Sequence, residues 1–174
     1  MNTKAFTNKI KKAEISKPAP IFIYVGRVAI EKNIKAFLDV DIQGSKVVVG
    51  AGPQLDELKK KYKDVLFTGM LEEKEVAAYL AASDVFVFPS KTDTFGIVII
   101  EALAAGIPVA AYPVTGPLDI LQNTKVDCLD LDLKKSMMKA LKIKTEDCKD
   151  VAKKYTWKNC AKIFMETASV NLQF

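Results

Sequence analysis

Short apolar runs alternate with helical stretches along most of this chain, and that alternation limits the folds open to it. The runs are Ile21–Val25, Lys46–Val49, Val65–Thr68, Val85–Phe88 and Ile107–Ala111. Between them, Asn33–Asp39, Gln54–Tyr62, Glu72–Ala82 and Ile97–Ala105 have helical character. A strand with one wet face alternates polar and apolar residues, whereas a run apolar on both faces belongs to a parallel sheet covered by helices on each side. Right-handed crossovers then make the sheet doubly wound. Ligands of such sheets bind outside the carboxyl ends of the strands. The loops there are Gly26–Lys32, Gly50–Pro53, Gly69–Glu72, Pro89–Gly96 and Tyr112–Asp119, and they hold most of the glycines.

At 174 residues the chain amounts to a single Rossmann-like α/β domain with short appendages. A chain of this size buries about 70% of its unfolded surface and needs no disulfide or metal staple. Residues 1–20 read as a linker-like lead-in ending at Pro18-Ala19-Pro20, residues 21–155 as the domain, and residues 156–174 as a terminal helix packing on it. Two further helices are expected at Leu133–Leu141 and Thr145–Lys153. In the terminal helix, Trp157, Cys160, Ala161 and Phe164 form an amphipathic stripe.

The net charge of +5 owes much to Lys4, Lys9, Lys11, Lys12 and Lys17, opposed there only by Glu14. This reads as a solvated lead-in and not as a nucleic-acid surface. With no histidine, Ser-His and Cys-His nucleophile pairs and histidine metal sites are excluded. Cys128, Cys148 and Cys160 are odd in number and lack CxxC spacing, which fits reduced thiols. No apolar run has membrane-spanning length, and residues 1–20 lack a signal-peptide core, so a cytoplasmic location is expected.

The stretch Ser90–Ala111 concentrates the chemistry. Its helix, Ile97–Ala105, is apolar on every face apart from Glu101, which predicts a helix buried all round with one acid that a ligand must satisfy. Asp93 lies eight residues earlier, and at helical rise the two carboxylates stand roughly 10 Å apart. That is too far to share a proton but suits two ends of one extended polar ligand. The amides near Gly96, Ile97 and Val98, at the helix start, attract phosphate, and a carboxylate can hold a vicinal diol. Sugar, phosphate and ribose in that order describe a nucleotide sugar. Asp93, with Thr92 or Thr94, reads equally well as a helix cap. Arg27 and Lys32 follow the first strand and offer cations to a phosphate. Gly50-Ala51-Gly52-Pro53 lacks the third glycine of a dinucleotide fingerprint and reads as a close backbone turn, with Pro53 in the first turn of the next helix. Asp39-Val40-Asp41 and Asp130-Leu131-Asp132 match a DxD pattern by chance, and no metal site is expected.

These motifs, in order, resemble the C-terminal, donor-binding domain of the retaining GT-B glycosyltransferases of group 1, also called family 4. The resemblance rests on Tyr24-Val25-Gly26-Arg27, Glu31-Lys32-Asn33, Val49-Gly50-Ala51-Gly52-Pro53, Ser83–Ser90, Thr92-Asp93-Thr94-Phe95-Gly96 and Glu101–Val109. The spacing from Asp93 to Glu101 matches the family's Glu-x7-Glu motif, with Asp in the first place. Ala51 stands where the family has an acid. The resemblance implies that Arg27 and Lys32 neutralise the donor diphosphate, that Asp93 contacts the sugar and that Glu101 contacts the ribose. Gly26, Gly50, Gly52, Ser90, Thr94, Phe95, Gly96, Ile97 and Val98 would complete the donor site, and residues near Gly69–Leu71 the base pocket. No metal would be required. The Thr92–Gly96 loop and Tyr112–Pro117 look like a bacterial subgroup similar to mannosyl- or sulfoquinovosyl-type transferases.

GT-B enzymes place their active site between two such domains, so the resemblance implies a missing N-terminal acceptor domain, supplied in cis or in trans. The chain is then expected to bind a nucleotide sugar but not to transfer it alone, as an expressed piece, a split subunit or a remnant. It leaves room for peripheral membrane association of the full enzyme. The rival readings are a non-catalytic nucleotide-binding or protein-interaction module, and an epimerase-like enzyme of GT-B architecture.

Overall fold

The computed structural model describes residues 13–93 and 96–155. The expected helix over residues 156–168, with Trp157, Cys160 and Phe164, lies outside the described residues, as do Thr94 and Phe95.

Five strands, β1 (Ile21–Val25), β2 (Ser45–Val49), β3 (Leu66–Gly69), β4 (Val85–Phe88) and β5 (Val109–Ala111), form one parallel sheet in the order β3-β2-β1-β4-β5. Ile21 to Val25 pair in register with Ser45 to Val49, while β1 meets β4 through Phe22 opposite Val85 and Ile23 opposite Phe86. The connecting helices are α1 (Ile34–Leu38), α2 (Leu55–Lys61), α3 (Glu73–Ala81), α4 (Ile97–Ala104), α5 (Thr115–Leu121), α6 (Leu133–Ala140) and α7 (Thr145–Ala152).

The pleat sends alternate strand residues to opposite faces, and the core divides accordingly. Ile23, Val47, Val49, Phe86, Phe88 and Val109 pack with Leu80 of α3, Ile99 and Leu103 of α4, and Val151 of α7. Phe22, Tyr24, Val48, Val85, Val87 and Ala110 pack with Phe37 of α1, Leu58 of α2 and Met137 of α6. The doubly wound sheet expected from the unbroken apolar runs is the sheet observed.

Boundaries move where hydrogen bonding overrides composition. β5 begins two residues later than expected because Gly106 and Ile107 finish α4: Gly106 N–H donates to Leu103 O and Ile107 N–H to Ala102 O, the paired bonds of a glycine-terminated helix. Gly106 holds φ 84°, and a Cβ there would lie 2.5 Å from Thr145 Cγ2. Val65 N–H turns back to Tyr62 O, which delays β3 by one residue. Pro53 sits in the turn before α2 and not in its first helical turn, since the helix starts at Leu55.

The DxD candidates have structural partners. Asp39 accepts from Tyr62 Oη, Asp132 caps α6 by accepting from Lys134 N and Lys135 N, and Asp130 pairs with Lys139. Cys128 and Cys148 are buried, and burial pushes their thiols up to about 11 and about 12, so both stay protonated as core residues. Among the described residues no helix is long and apolar enough to cross a membrane.

Buried Ser136 fastens α6 to the end of β5. Its hydroxyl oxygen accepts from Ala111 N and lies within donor distance of Cys128 O (2.6 Å) and Ala111 O (3.2 Å). Ser136→Ala leaves these groups short of a partner inside the core and should cost about 1–3 kcal/mol. A lowered urea midpoint at unchanged m-value would show it, and an unchanged midpoint would refute it.

Candidate functional site

β1 and β4 are neighbours in the sheet although three strands apart in sequence, so the chain departs from them in opposite directions. A crevice opens at such a switch point. Here it is a cavity of about 700 Å³, lined by Gly26, Arg27, Lys32, Ser90, Asp93, Gly96, Ile97, Val98 and Glu101. It thus gathers residues from both ends of the Asp93–Glu101 stretch and from the loop after β1. Tyr24, Glu31 and Phe88 also line it, none of them a candidate from sequence.

A second hollow of about 590 Å³ adjoins it along the carboxyl ends of β1 to β3 and shares Val25, Gly26 and Arg27 with it. Gly50, Ala51 and Gly52 line this second hollow, facing Met70, Leu71 and Val76. The glycine-rich turn therefore lies beside the main cavity and not in it. A third hollow, of about 560 Å³, lies at the opposite, amino end of the strands and contains none of the candidate residues.

The loops after β1, β2 and β3 are laced together by their backbones. Gly26 N–H donates to Val49 O, Val28 N–H to Ala51 O and Gly50 N–H to Gly69 O, at 2.7–3.0 Å. A Cβ on Gly50 would stand 1.9 Å from Gly26 O, and one on Gly52 would stand 2.3 Å from Val28 O. The turn is glycine-rich because backbone passes against backbone at these points.

Asp93 does not cap α4. The N-cap is Gly96, at φ 68°, without a side-chain capping bond, and Asp93 instead accepts from Lys32 Nζ at 2.5 Å. Both members of that pair are about three-quarters buried. Arg27 approaches Glu31 at 3.5 Å in a more exposed pair. Among the described residues no side chain caps the Ile97 and Val98 amides at the wall of the cavity, and the two cations that line the same cavity rest on carboxylates.

The expectation that α4 is buried all round needs correction. Ile97 is 53% exposed, and Val98 and Glu101 are only partly buried, because the first turn faces the crevice while Ile99, Ile100, Ala102 and Leu103 enter the core. Among the described residues the Glu101 carboxylate has no hydrogen-bond or ion-pair partner. Burial, and secondarily the negative charge of Glu73, push it above the ordinary carboxylate range. Tyr24 donates to Arg27 O at 2.8 Å, and burial with the nearby Asp93 and Glu31 charges holds it as a phenol. Asn33 Nδ2 donates across the crevice to Pro89 O at 3.0 Å. Tyr24 belongs to a motif that carries the resemblance but had no role assigned from sequence, and only the turn at Gly26 brings its hydroxyl to Arg27 O.

An open parallel sheet with strand order 3-2-1-4-5 and a charged crevice across its switch point defines a doubly wound, Rossmann-like α/β domain. The chain belongs to the group 1 glycosyltransferases: the family described as glycosyl transferases group 1 matches residues 5–155. It is 36% identical over 107 residues to the sulfoquinovosyl transferase SQD2 of Arabidopsis thaliana, covering 59% of this chain and 21% of that protein. It is 38% identical over 114 residues to a GDP-mannose-dependent alpha-mannosyltransferase of Corynebacterium glutamicum, covering 63% and 27%. The chain therefore spans about a quarter of the length of these relatives. Among solved structures, the sucrose-phosphate synthase of Thermosynechococcus elongatus superposes with a TM-score of 0.72 at 20% identity, covering 98% of this chain and 51% of that one. The pneumococcal O-GlcNAc transferase GtfA, in complex with UDP and GlcNAc, superposes with a TM-score of 0.68 at 16% identity, covering 95% and 39%. At these identities the likeness is one of fold, and the fold is that of GT-B glycosyltransferases.

Proposed function

We propose that this chain is the donor-binding domain of a retaining glycosyltransferase that moves a hexose from a nucleoside-diphosphate sugar to an acceptor. The observation that carries the reading is the start of α4, set in one crevice between the Lys32–Asp93 pair and Glu101, with no side-chain cap and no Glu101 partner among the described residues. Helix-start amides and two cations suit a diphosphate. Glu101 faces the crevice where a ribose diol would supply its missing donors, and Asp93 lies on the sugar side. The second hollow, with Leu71 and the backbone near Gly69, receives the base. The mannosyltransferase relative is GDP-mannose-dependent by name, and GtfA was solved with UDP, which supports a nucleotide ligand of this class.

Bond cleavage leaves negative charge on the departing diphosphate. Donors already aimed at that position lower the barrier without having to reorganise. Arg27, Lys32 and the Ile97 and Val98 amides fill that role with no metal required. Lys32 exchanges its Asp93 partner for phosphate as the donor enters, which releases the Asp93 carboxylate toward the sugar.

Transfer itself requires an N-terminal acceptor domain, in cis or in trans, in an enzyme placed in the cytoplasm or against a membrane surface. Two exposed apolar residues line the adjoining hollows: Ile97, 53% exposed, in the main crevice and Met70, 80% exposed, in the second. Apolar surface gathered at a site favours a partner-dependent domain over a self-contained module. Titration calorimetry with UDP, GDP and their sugars tests the donor site, and binding of at least one is expected. No heat from any of them at millimolar concentration, with the protein folded, overturns the reading. Added acceptors should give no transfer product with this chain alone.

A further inference from the structure

We infer that Asn33 is a positioning residue that aims Lys32 at the donor phosphates, an inference that rests on the donor-site reading above. Asn33 stands where the short 3-10 turn Ile30–Lys32 ends and α1 begins, at φ 53° and ψ 34°. Its N–H closes the turn onto Ile30 O, and its C=O receives Ala36 N–H. Left-handed backbone is strained for most side chains, and asparagine and glycine tolerate it best. Glycine would serve the backbone alone. Asparagine also carries an amide, and that amide crosses the switch point to Pro89 O at 3.0 Å, joining residues 56 apart in sequence.

The consequence falls on the neighbouring residue. Lys32 precedes Asn33 directly, and Asp93, its partner, follows Pro89 in the opposite loop. A second, longer tie runs parallel, from Thr92 Oγ1 to Glu31 O at 3.4 Å. The loop that bears the cation is therefore held against the loop that leads into α4, and among the described residues the Asn33 amide is the shorter of its two side chain-to-backbone ties. Fixing the lysine's backbone before the ligand arrives removes ordering cost from binding. When phosphate takes Lys32 away from Asp93, the Asn33–Pro89 bond stays, so the two loops keep their spacing in both states.

The test is a double-mutant cycle on the 174-residue chain, with UDP and GDP as probes in titration calorimetry. Asn33→Gly keeps the left-handed backbone and removes the amide. It should weaken binding about three- to tenfold, the worth of one such hydrogen bond. In a Lys32→Ala background the same change should weaken binding less than about twofold, because the group it aims is gone. Asn33→Asp keeps size and left-handed tolerance but turns an acceptor toward Pro89 O, and should lose at least as much as the glycine variant. A general effect on the pocket that does not act through Lys32 would weaken both backgrounds equally, and that result overturns the inference. Full affinity in folded Asn33→Gly or Asn33→Asp overturns it too. Absence of binding by the unmutated chain marks failure of the donor-site reading itself.

Discussion

Gly50→Ala should destabilise the domain by about 3 kcal/mol or more, combining backbone strain with a clash that has no easy relief. Gly50 sits at φ 134°, and an added Cβ would meet Gly26 O at 1.9 Å and Gly26 C at 2.9 Å. Those atoms belong to backbone already tied to β2 through Gly26 N–H and Val49 O. Relief means parting the loops after β1 and β2, which together line the second hollow; the β1 loop also lines the main one. Gly69 is the natural control. It also has positive φ, at 78°, but a Cβ there meets nothing within 4 Å. Gly69→Ala should therefore cost only the conformational strain, about 1–2 kcal/mol. Urea denaturation of the two variants measures the difference. If both lose the same stability, the close loop contact is not what requires glycine at position 50.

Glu101 should trade stability against binding. Its folded-state pKa is raised by burial first and by Glu73 second, so the folded, ligand-free protein disfavours the charged form. The sign follows from linkage. A carboxyl whose folded pKa lies above its unfolded value helps the fold while both states are protonated. That help is lost as pH rises from the ordinary carboxylate range through the raised folded value. At pH 7 the ionised Glu101 therefore burdens the empty domain. Glu101→Gln should raise the ligand-free Tm at pH 7 and change it little at pH 4, where the native carboxyl is largely protonated. Glu101→Ala, meanwhile, should weaken UDP or GDP binding by about 1–3 kcal/mol, the value of hydrogen bonds to a charged group, or roughly five- to 150-fold. Scanning fluorimetry across pH and calorimetry of the same variants give both halves. A Tm for Glu101→Gln equal to or below the native value at pH 7 defeats the burial argument, and unchanged affinity in folded Glu101→Ala defeats the ribose role.

Most of the fold was legible because its signals are local and repeated. Runs apolar on both faces, such as Val85–Phe88, have no placement except inside a covered parallel sheet, and helices such as Ile97–Ala104 carry their own stop at Gly106. Boundaries were less legible where a distant or terminal hydrogen bond decides them, as at Ile107 and Val65. The site was half legible. Its residues could be named from their loops, but not their partners. Asp93 read equally as a helix cap or a ligand group, and the choice depends on Lys32, 61 residues away, which takes the carboxylate and leaves Gly96 to begin the helix. Tyr24 and Asn33 stood in the motifs that carry the resemblance but had no role there, since the Tyr24 bond to Arg27 O needs the turn at Gly26 and the Asn33 bond to Pro89 O needs β1 and β4 side by side.

The order of types along the chain, with apolar runs, helical stretches and glycine-bearing loops, was enough to determine the layers and which end of the sheet faces a ligand. These follow from short-range periodicity and from the need to bury apolar surface on both faces of each strand. Pairing across the switch point was decided by tertiary structure alone. β1 and β4 become neighbours through crossovers that no local pattern encodes, and it is their adjacency that sets Lys32 on Asp93 and turns Glu101 toward the crevice, with no side-chain cap on α4 and no Glu101 partner among the described residues.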